Sequence, residues 1–247
     1  MAEIFKIIFY QPILNLLVLL YNIIPGHDLG VAIILLTIII KIILLPLSKK
    51  SLNSQKALQE LQPKIEDIKR KYADKKEEQA KAMMQLYKEN KVNPFSSCLP
   101  LLIQLPFLIA VFQVFRDGLA NGSLNLVYPF ITKPEAINTI SLGFLNLSQK
   151  SIALAILAGA AQFWQSKMMM TKRPVEKTPA AKDEDMMTIM NKQMLYMMPV
   201  LTVFIAISFP AGLSLYWLVT TVLTALQQIY IFKKRDTKNI IEGTIVK

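Results

Sequence analysis

The sequence predicts an all-α, polytopic membrane protein: a five-transmembrane-helix bundle with a cytoplasmic helical hairpin and an N-terminal interfacial amphipathic helix. Three observations carry this. Of 247 residues, 53% are hydrophobic with glycine left out of the count, and 18% are charged. A soluble domain carries about 25% charge and about 45–50% apolar residues with glycine included. Mean hydropathy is +0.39. The apolar residues gather in runs that suit a hydrocarbon core of about 30 Å, which takes about 20 helical residues to cross. The formal charge of +11 lies almost wholly between those runs. These features argue against an ordinary soluble enzyme and against a disordered chain.

Residues 1–28 come first. Ile4 to Ile24 is apolar but interrupted by Lys6, Gln11, Pro12, Asn15 and Asn22. It reads as an amphipathic helix lying in the interface, with a spanning helix as the alternative. No small-residue cleavage site follows it, which argues against a signal peptide. Pro25-Gly26-His27-Asp28 is the turn after it. Transmembrane helix 1 occupies 29–48, broken only by Lys41, and the hairpin occupies 49–96. Transmembrane helix 2 is 97–115, followed by an extracytoplasmic loop over 116–150. Transmembrane helix 3 is 151–170, a cytoplasmic loop is 171–193, and helices 4 and 5 are 194–209 and 212–232. Pro210 and Gly212 make the last two a tight helical hairpin. A basic tail covers 233–247.

Lysine and arginine set the orientation. Twelve lie in 49–97, six in 167–193 and five in 233–247, against four (Lys6, Arg116, Lys133, Lys150) in the segments on the other side. The positive-inside rule places the basic loops and the C-terminus in the cytoplasm. Within 49–93, Leu58, Leu61, Ile65, Ile68 and Tyr72 recur at alternating spacings of three and four, which is one helical stripe. Ala80, Met83 and Tyr87 continue it. Pro63 suits a helix's first turn, and Ala73-Asp74-Lys75 suits a turn. A two-helix hairpin follows, apolar seam inward, with basic faces able to touch anionic lipid or RNA.

Lys41 is the most informative residue. A lysine at depth in a membrane costs roughly 2.5–3.5 kcal/mol on insertion scales. Counting eight residues to Lys49 along one helix puts it about 12 Å from the cytoplasmic end. Snorkelling would relieve that cost; a water-filled cavity open to the cytoplasm is the functional reading. Ser214, Trp217, Thr221, Thr224 and Gln228 form a polar stripe on the fifth span. Thr37 shares a face with Lys41, Gln162 and Gln165 lie on the third span, and Gln104 lies on the second. Facing lipid, such groups would be costly. Converging on Lys41, they line a hydrophilic groove; interhelical hydrogen bonding is the plainer alternative.

What is missing also sorts functions. No span contains Asp or Glu, as an ion-coupled transporter would. The single histidine, His27, and single cysteine, Cys98, leave no His-pair or Cys-cluster metal site and no disulfide within the chain. There is no Walker loop and no GxGxxG. No catalytic residue, metal or cofactor is implied. The Met-rich stretches Met168-Met169-Met170 and Met186 to Met198 offer either ordinary packing or an adaptable surface.

The motifs Leu61-Gln62-Pro63-Lys64-Ile65, Met84-Gln85-Leu86-Tyr87-Lys88, Lys91-Val92-Asn93-Pro94 and Leu99-Pro100-Leu101-Leu102-Ile103-Gln104-Leu105-Pro106 strongly resemble the YidC family of membrane protein insertases. So do Met197-Met198-Pro199, Phe209-Pro210-Ala211-Gly212-Leu213, Leu215-Tyr216-Trp217 and Gln227-Gln228. Order and spacing agree over about residues 25–232. The resemblance implies a five-span core whose groove is open to cytoplasm and lipid and closed outside, with one basic residue on the first span. Many members carry arginine there; Lys41 keeps the charge but not the planar fork. Gln165 and Trp217 fall on groove-lining positions by the same matching.

The function so implied is a membrane protein insertase and chaperone in the bacterial plasma membrane, acting alone or with a translocon. Its partners would be nascent membrane proteins with short acidic extracytoplasmic tails, the lipid bilayer, the ribosome, the signal recognition particle pathway and the Sec translocon, and not DNA. A small-anion channel or transporter using the same cavity is the alternative.

Overall fold

The computed structural model describes residues 2–93, 99–118, 123–169 and 193–245. Cys98, most of the 171–193 loop and Met186 lie outside them. Among the described residues the regular structure is helical apart from one two-stranded hairpin. It divides into two compact units: Met1–Ile43, Ile103–Met168 and Thr178–Ala225 form one, and Leu44–Leu102, Met169–Lys177 and Leu226–Lys247 form the other.

In the first unit, helix α1 (Glu3–Ile23) is long and apolar enough to cross a membrane, the alternative named for this segment. A π turn over Lys6–Tyr10 precedes Pro12, and the Gln11 amide reaches back to the Lys6 carbonyl. Pro12 cannot donate to Ile8, and the wider turn accommodates that loss. Helix α1 packs on α2 (Leu29–Ile43) and buries Leu14, Leu17 and Val18; Leu29, Ile33 and Leu36 of α2 are likewise fully buried. Between them the chain reverses at Gly26 and His27, with φ of 81° and 51°; only a glycine takes the first of these without strain.

Three of the polar residues that interrupt α1, Gln11, Asn15 and Asn22, have protein partners. Gln11 and Asn15 donate to the Leu126 carbonyl at 3.2 and 3.1 Å. Asn15 Oδ1 accepts the Tyr128 amide at 2.6 Å, and Asn22 donates to Thr132 at 2.7 Å. The Tyr21 hydroxyl accepts the Asn138 amide at 2.8 Å. Buried polar groups need such partners, and here they bind α1 to the segment 123–139.

That segment leads into strands β1 (Ile140–Ser141) and β2 (Leu145–Asn146), paired antiparallel with Ile140 opposite Asn146. Asp28 holds the hairpin. Its carboxylate accepts the Ser141 hydroxyl at 2.6 Å and the Leu142 amide at 2.7 Å, and caps α2 through the Val31 amide at 3.0 Å. Burial pushes its carboxyl up, but these donors together outweigh burial and hold it below the usual carboxylate range. A depressed folded pKa adds stability above the unfolded value of about 3.9, lost as pH falls through the folded one. Asp28→Ala is therefore expected to cost about 1–2 kcal/mol at neutral pH, as for a lost N-cap. Thermal unfolding in detergent should show that difference shrinking on acidification.

Helices α5 (Leu99–Gln113), α6 (Ile152–Met169), α7 (Met198–Ser208) and α8 (Ala211–Ile245) supply the other apolar segments. Phe112 meets Phe209 edge-on at 5.0 Å and Phe9 meets Phe107 at 5.4 Å. Gly159 of α6 leaves no room for a Cβ beside Val203 of α7, the close approach that small residues permit between membrane helices. Phe204 and Val200 on α7 and Ile156 on α6 point outward, as suits a lipid-facing surface. Among the described residues, Ala211–Lys233 also meets the length and apolarity of a span, and Leu29–Ile43 with the helix after it makes a third stretch; Leu102–Arg116 and Leu195–Ser208 are apolar but shorter.

The apolar run read as one segment over 29–48 is two helices. Helix α2 stops at Ile43 and α3 (Leu45–Lys71) begins after Leu44. Pro46 lies in the first turn of α3, where its missing N–H costs little, whereas it would have broken a continuous helix. Pro63 does not open a helix; it lies inside α3. In the second unit, α3 packs on α4 (Lys76–Glu89). Leu61 and Ile65 meet Leu86 and Tyr87, flanked by Leu58, Ile68, Met83 and Val92. The intervening turn spans 72–75. Burial pushes the Tyr87 phenol up. Lys56 of α3 lies 5.2 Å from the Phe232 ring. Ile65→Ala removes the most buried contact of this small seam and is expected to cost about 2–5 kcal/mol. Hydrogen exchange should then show amide protection lost over residues 58–92 and kept in α6 and α7.

Candidate functional site

Lys41 lies in the last turn of α2, not eight residues up one unbroken helix. The carbonyls at a helix C-terminus lack donors, and the helix end carries about half a negative charge. A cation there is favoured, which offsets part of the cost of burial. The side chain is only 9% exposed. Its ammonium donates to Thr224 Oγ1 on α8 at 2.7 Å, and the Thr224 hydroxyl donates in turn to the Thr220 carbonyl at 2.7 Å. The Thr224 proton is thus engaged, and its oxygen lone pairs face the ammonium. The Lys41 partner is neutral, and among the described residues no carboxylate forms an ion pair with it.

The other candidates divide by where their polar atoms go. Thr37 is buried and its hydroxyl returns to the Ile33 carbonyl at 2.7 Å in its own helix. Ser214, also buried, donates to the Ala206 carbonyl at 3.1 Å and ties α8 to α7. Gln104 of α5 donates to the Tyr216 hydroxyl at 2.5 Å. Thr221 is buried, and Trp217, Gln162 and Gln165 are half-buried. Lys41 and Thr224 are brought together; Tyr216 joins Gln104 although it sits in an apolar run and carries no polar-stripe signal. The residues missed by sequence reasoning are Gln11, Asn15 and Asn22, which bind the loop. Their spacings of four and seven place them on one face of α1, and that signal was readable.

The arrangement makes and breaks no covalent bond: one buried cation, hydroxyls and amides on apolar helices can attract and orient an anionic group.

The sequence model of the family described as 60Kd inner membrane protein matches residues 19–238. The chain is 36% identical over 207 residues to the membrane protein insertase YidC of Fusobacterium nucleatum subsp. nucleatum, covering 84% of this chain and 87% of that one. It is 36% identical over 225 residues to the membrane protein insertase YidC of Pelobacter propionicus and 31% identical over 234 residues to that of Streptomyces avermitilis. These cover 90% and 86% of this chain, but only 38% and 53% of those longer relatives. The membrane protein insertases that the chain resembles are not enzymes. The match over nearly the whole chain, together with its long apolar helices, makes this bacterial membrane protein a member of the 60Kd inner membrane protein family, the family of the YidC membrane protein insertases.

Proposed function

We propose that the chain inserts nascent membrane proteins and assists their folding, through a hydrophilic groove built round Lys41. The observation that carries this is the buried Lys41 ammonium, held by the neutral Thr224 hydroxyl and by no carboxylate among the described residues. In this reading five spans form the bundle, with the basic loops and C-terminus cytoplasmic, α3 and α4 standing in the cytoplasm, and residues 1–28 at the outer face. A segment delivered by the ribosome or the signal recognition particle pathway meets the hairpin. Its short acidic tail enters the groove, lined by Lys41, Thr224, Thr221, Trp217, Gln162 and Gln165, with Thr37, Ser214 and Gln104 behind. The apolar span then leaves for lipid, where burial stabilises it. The groove works alone or beside the Sec translocon.

The test is insertion into proteoliposomes holding only this protein, with a single-span substrate bearing a short acidic N-terminal tail. A protease-protected tail with wild type, lost in Lys41→Ala, is the expected result. Passage of a small anion across the same vesicles without insertion would favour a channel instead.

A further inference from the structure

We infer that the β1–β2 hairpin is an interfacial anchor: its tip, Leu142 and Phe144, together with Phe130, sits in the outer leaflet of the bilayer at the level of the lipid glycerols and fixes the height of the bundle. The inference rests on the orientation in the proposed function, which puts the N-terminal ends of α2 and α8 at the outer face.

Two independent attachments set the depth of the hairpin. On one side Asp28, the residue before α2, accepts the Ser141 hydroxyl and the Leu142 amide. On the other, the Ala211 and Gly212 amides at the start of α8 donate to the carbonyls of Gln149 and Leu147 at 2.7 and 2.9 Å. Both are orphan ends of helices, so residues 141–149 run across the outer termini of two apolar helices. Leu147 is fully buried, and Gly30 leaves no room for a Cβ beside Ser141. The hairpin is therefore held flush with the place where hydrocarbon ends, not out in solution.

What it presents there is apolar. Leu142 is 67% exposed, Phe144 80% and Phe130 81%, the last stacked on Tyr128 at 5.4 Å. Leu142 also has a φ of 53°, a left-handed conformation that costs a leucine energy. The carboxylate of Asp28 holds that strained amide, and the backbone turns the side chain outward. A hairpin needing only to reverse direction would carry glycine or asparagine there; the strain accompanies a leucine that is two-thirds exposed. These exposed apolar side chains, with Tyr128 beside Phe130 and with Lys133 and Lys150 exposed nearby in sequence, pair apolar and cationic groups as an interfacial segment does. Tied across the starts of two apolar helices, these exposed apolar side chains lie where hydrocarbon gives way to headgroups, which identifies the occupant as phospholipid.

The experiment places an environment-sensitive nitrobenzoxadiazole label at position 144 in F144C/C98S, reconstituted in phosphatidylcholine–phosphatidylglycerol vesicles. A second variant, F204C/C98S, labels a residue that is 71% exposed on α7. Expected is a blue-shifted emission at 144 that loses most of its intensity to lipids spin-labelled near the carbonyls and little to aqueous iodide. The label at 204 should be quenched by lipids spin-labelled deep in the chain. Emission at 144 open to iodide and untouched by either lipid, with 204 quenched from the chains, would overturn the anchor and leave the spanning reading intact; a protein partner would then be the occupant. If neither label met lipid, the spanning reading and the anchor would fall together.

Discussion

Replacing Lys41 with glutamate is expected to abolish insertion of a substrate with a short acidic tail, while Lys41→Ala reduces it by roughly ten- to a thousand-fold and Lys41→Arg retains it. The range follows from Coulomb's law. A carboxylate about 4 Å from an ammonium gains about 4 kcal/mol at an effective dielectric of 20, and each 1.4 kcal/mol is about ten-fold in an equilibrium. Desolvation of the tail lowers this toward the smaller figure. Alanine removes the attraction. Glutamate turns it into repulsion and sets a negative charge against the carbonyl end of α2. Arginine keeps the charge in the last helical turn, and its fork can still reach Thr224.

The control is a substrate whose tail carries no charge, on which the three variants should differ little. A merely structural role for Lys41 predicts the opposite pattern: lower yield of folded protein, with insertion per folded molecule unchanged for every tail. Protected tail, counted per correctly oriented molecule in proteoliposomes, separates the two. If Lys41→Glu inserted the acidic tail as well as wild type, electrostatic attraction would play no part in the groove.

Which parts of this molecule could be read from its sequence follows from how local the determining physics is. Apolar runs and the three–four stripe of Leu58 to Tyr72 are local, and most of their described residues are helical. Lys41 stood out because a charge in an apolar run is costly wherever it faces. The break at Leu44 was also local, since Pro46 cannot donate within a continuing helix, but the apolar composition on both sides hid it. Pro63 alone suits a helix's first turn, but Leu58 and Leu61 before it belong to the buried seam and the helix runs through it. Partners were the illegible part. Thr37 and Thr224 lie on the same kinds of stripe, and both hydroxyls donate to a carbonyl one turn back in their own helix, yet only Thr224 also accepts from Lys41. Serine and threonine can satisfy themselves on the preceding turn, so a polar stripe does not say which members face a site. The attachments of Asn15 to Leu126 and of Asp28 to Ser141 join segments more than a hundred residues apart, and no periodicity reports such pairings.

Tyr216→Ala is expected to be the most destabilising single change, at about 3–5 kcal/mol, the range for truncating a large buried ring. Tyr216 is 1% exposed and is among the largest fully buried side chains. Between helices in lipid, dispersion contacts and close fit replace the hydrophobic drive, and a void left by the ring forfeits them outright. The hydroxyl contributes less. Tyr216→Phe removes the acceptor for Gln104, and hydrogen bonds between membrane helices average about 0.6 kcal/mol. Phenylalanine should therefore stay near wild type and alanine fall well below it when unfolding is followed in mixed micelles. Equal losses for both variants would mean that the ring is not the packed element and the hydroxyl is. The same pair also bears on function. Because Tyr216 acts through packing, insertion per folded molecule should survive Tyr216→Phe and fall with Tyr216→Ala only as the folded fraction falls. Lys41→Ala should show the reverse, with folding largely kept and insertion lost. Opposite responses at two buried residues would separate the site from its scaffold.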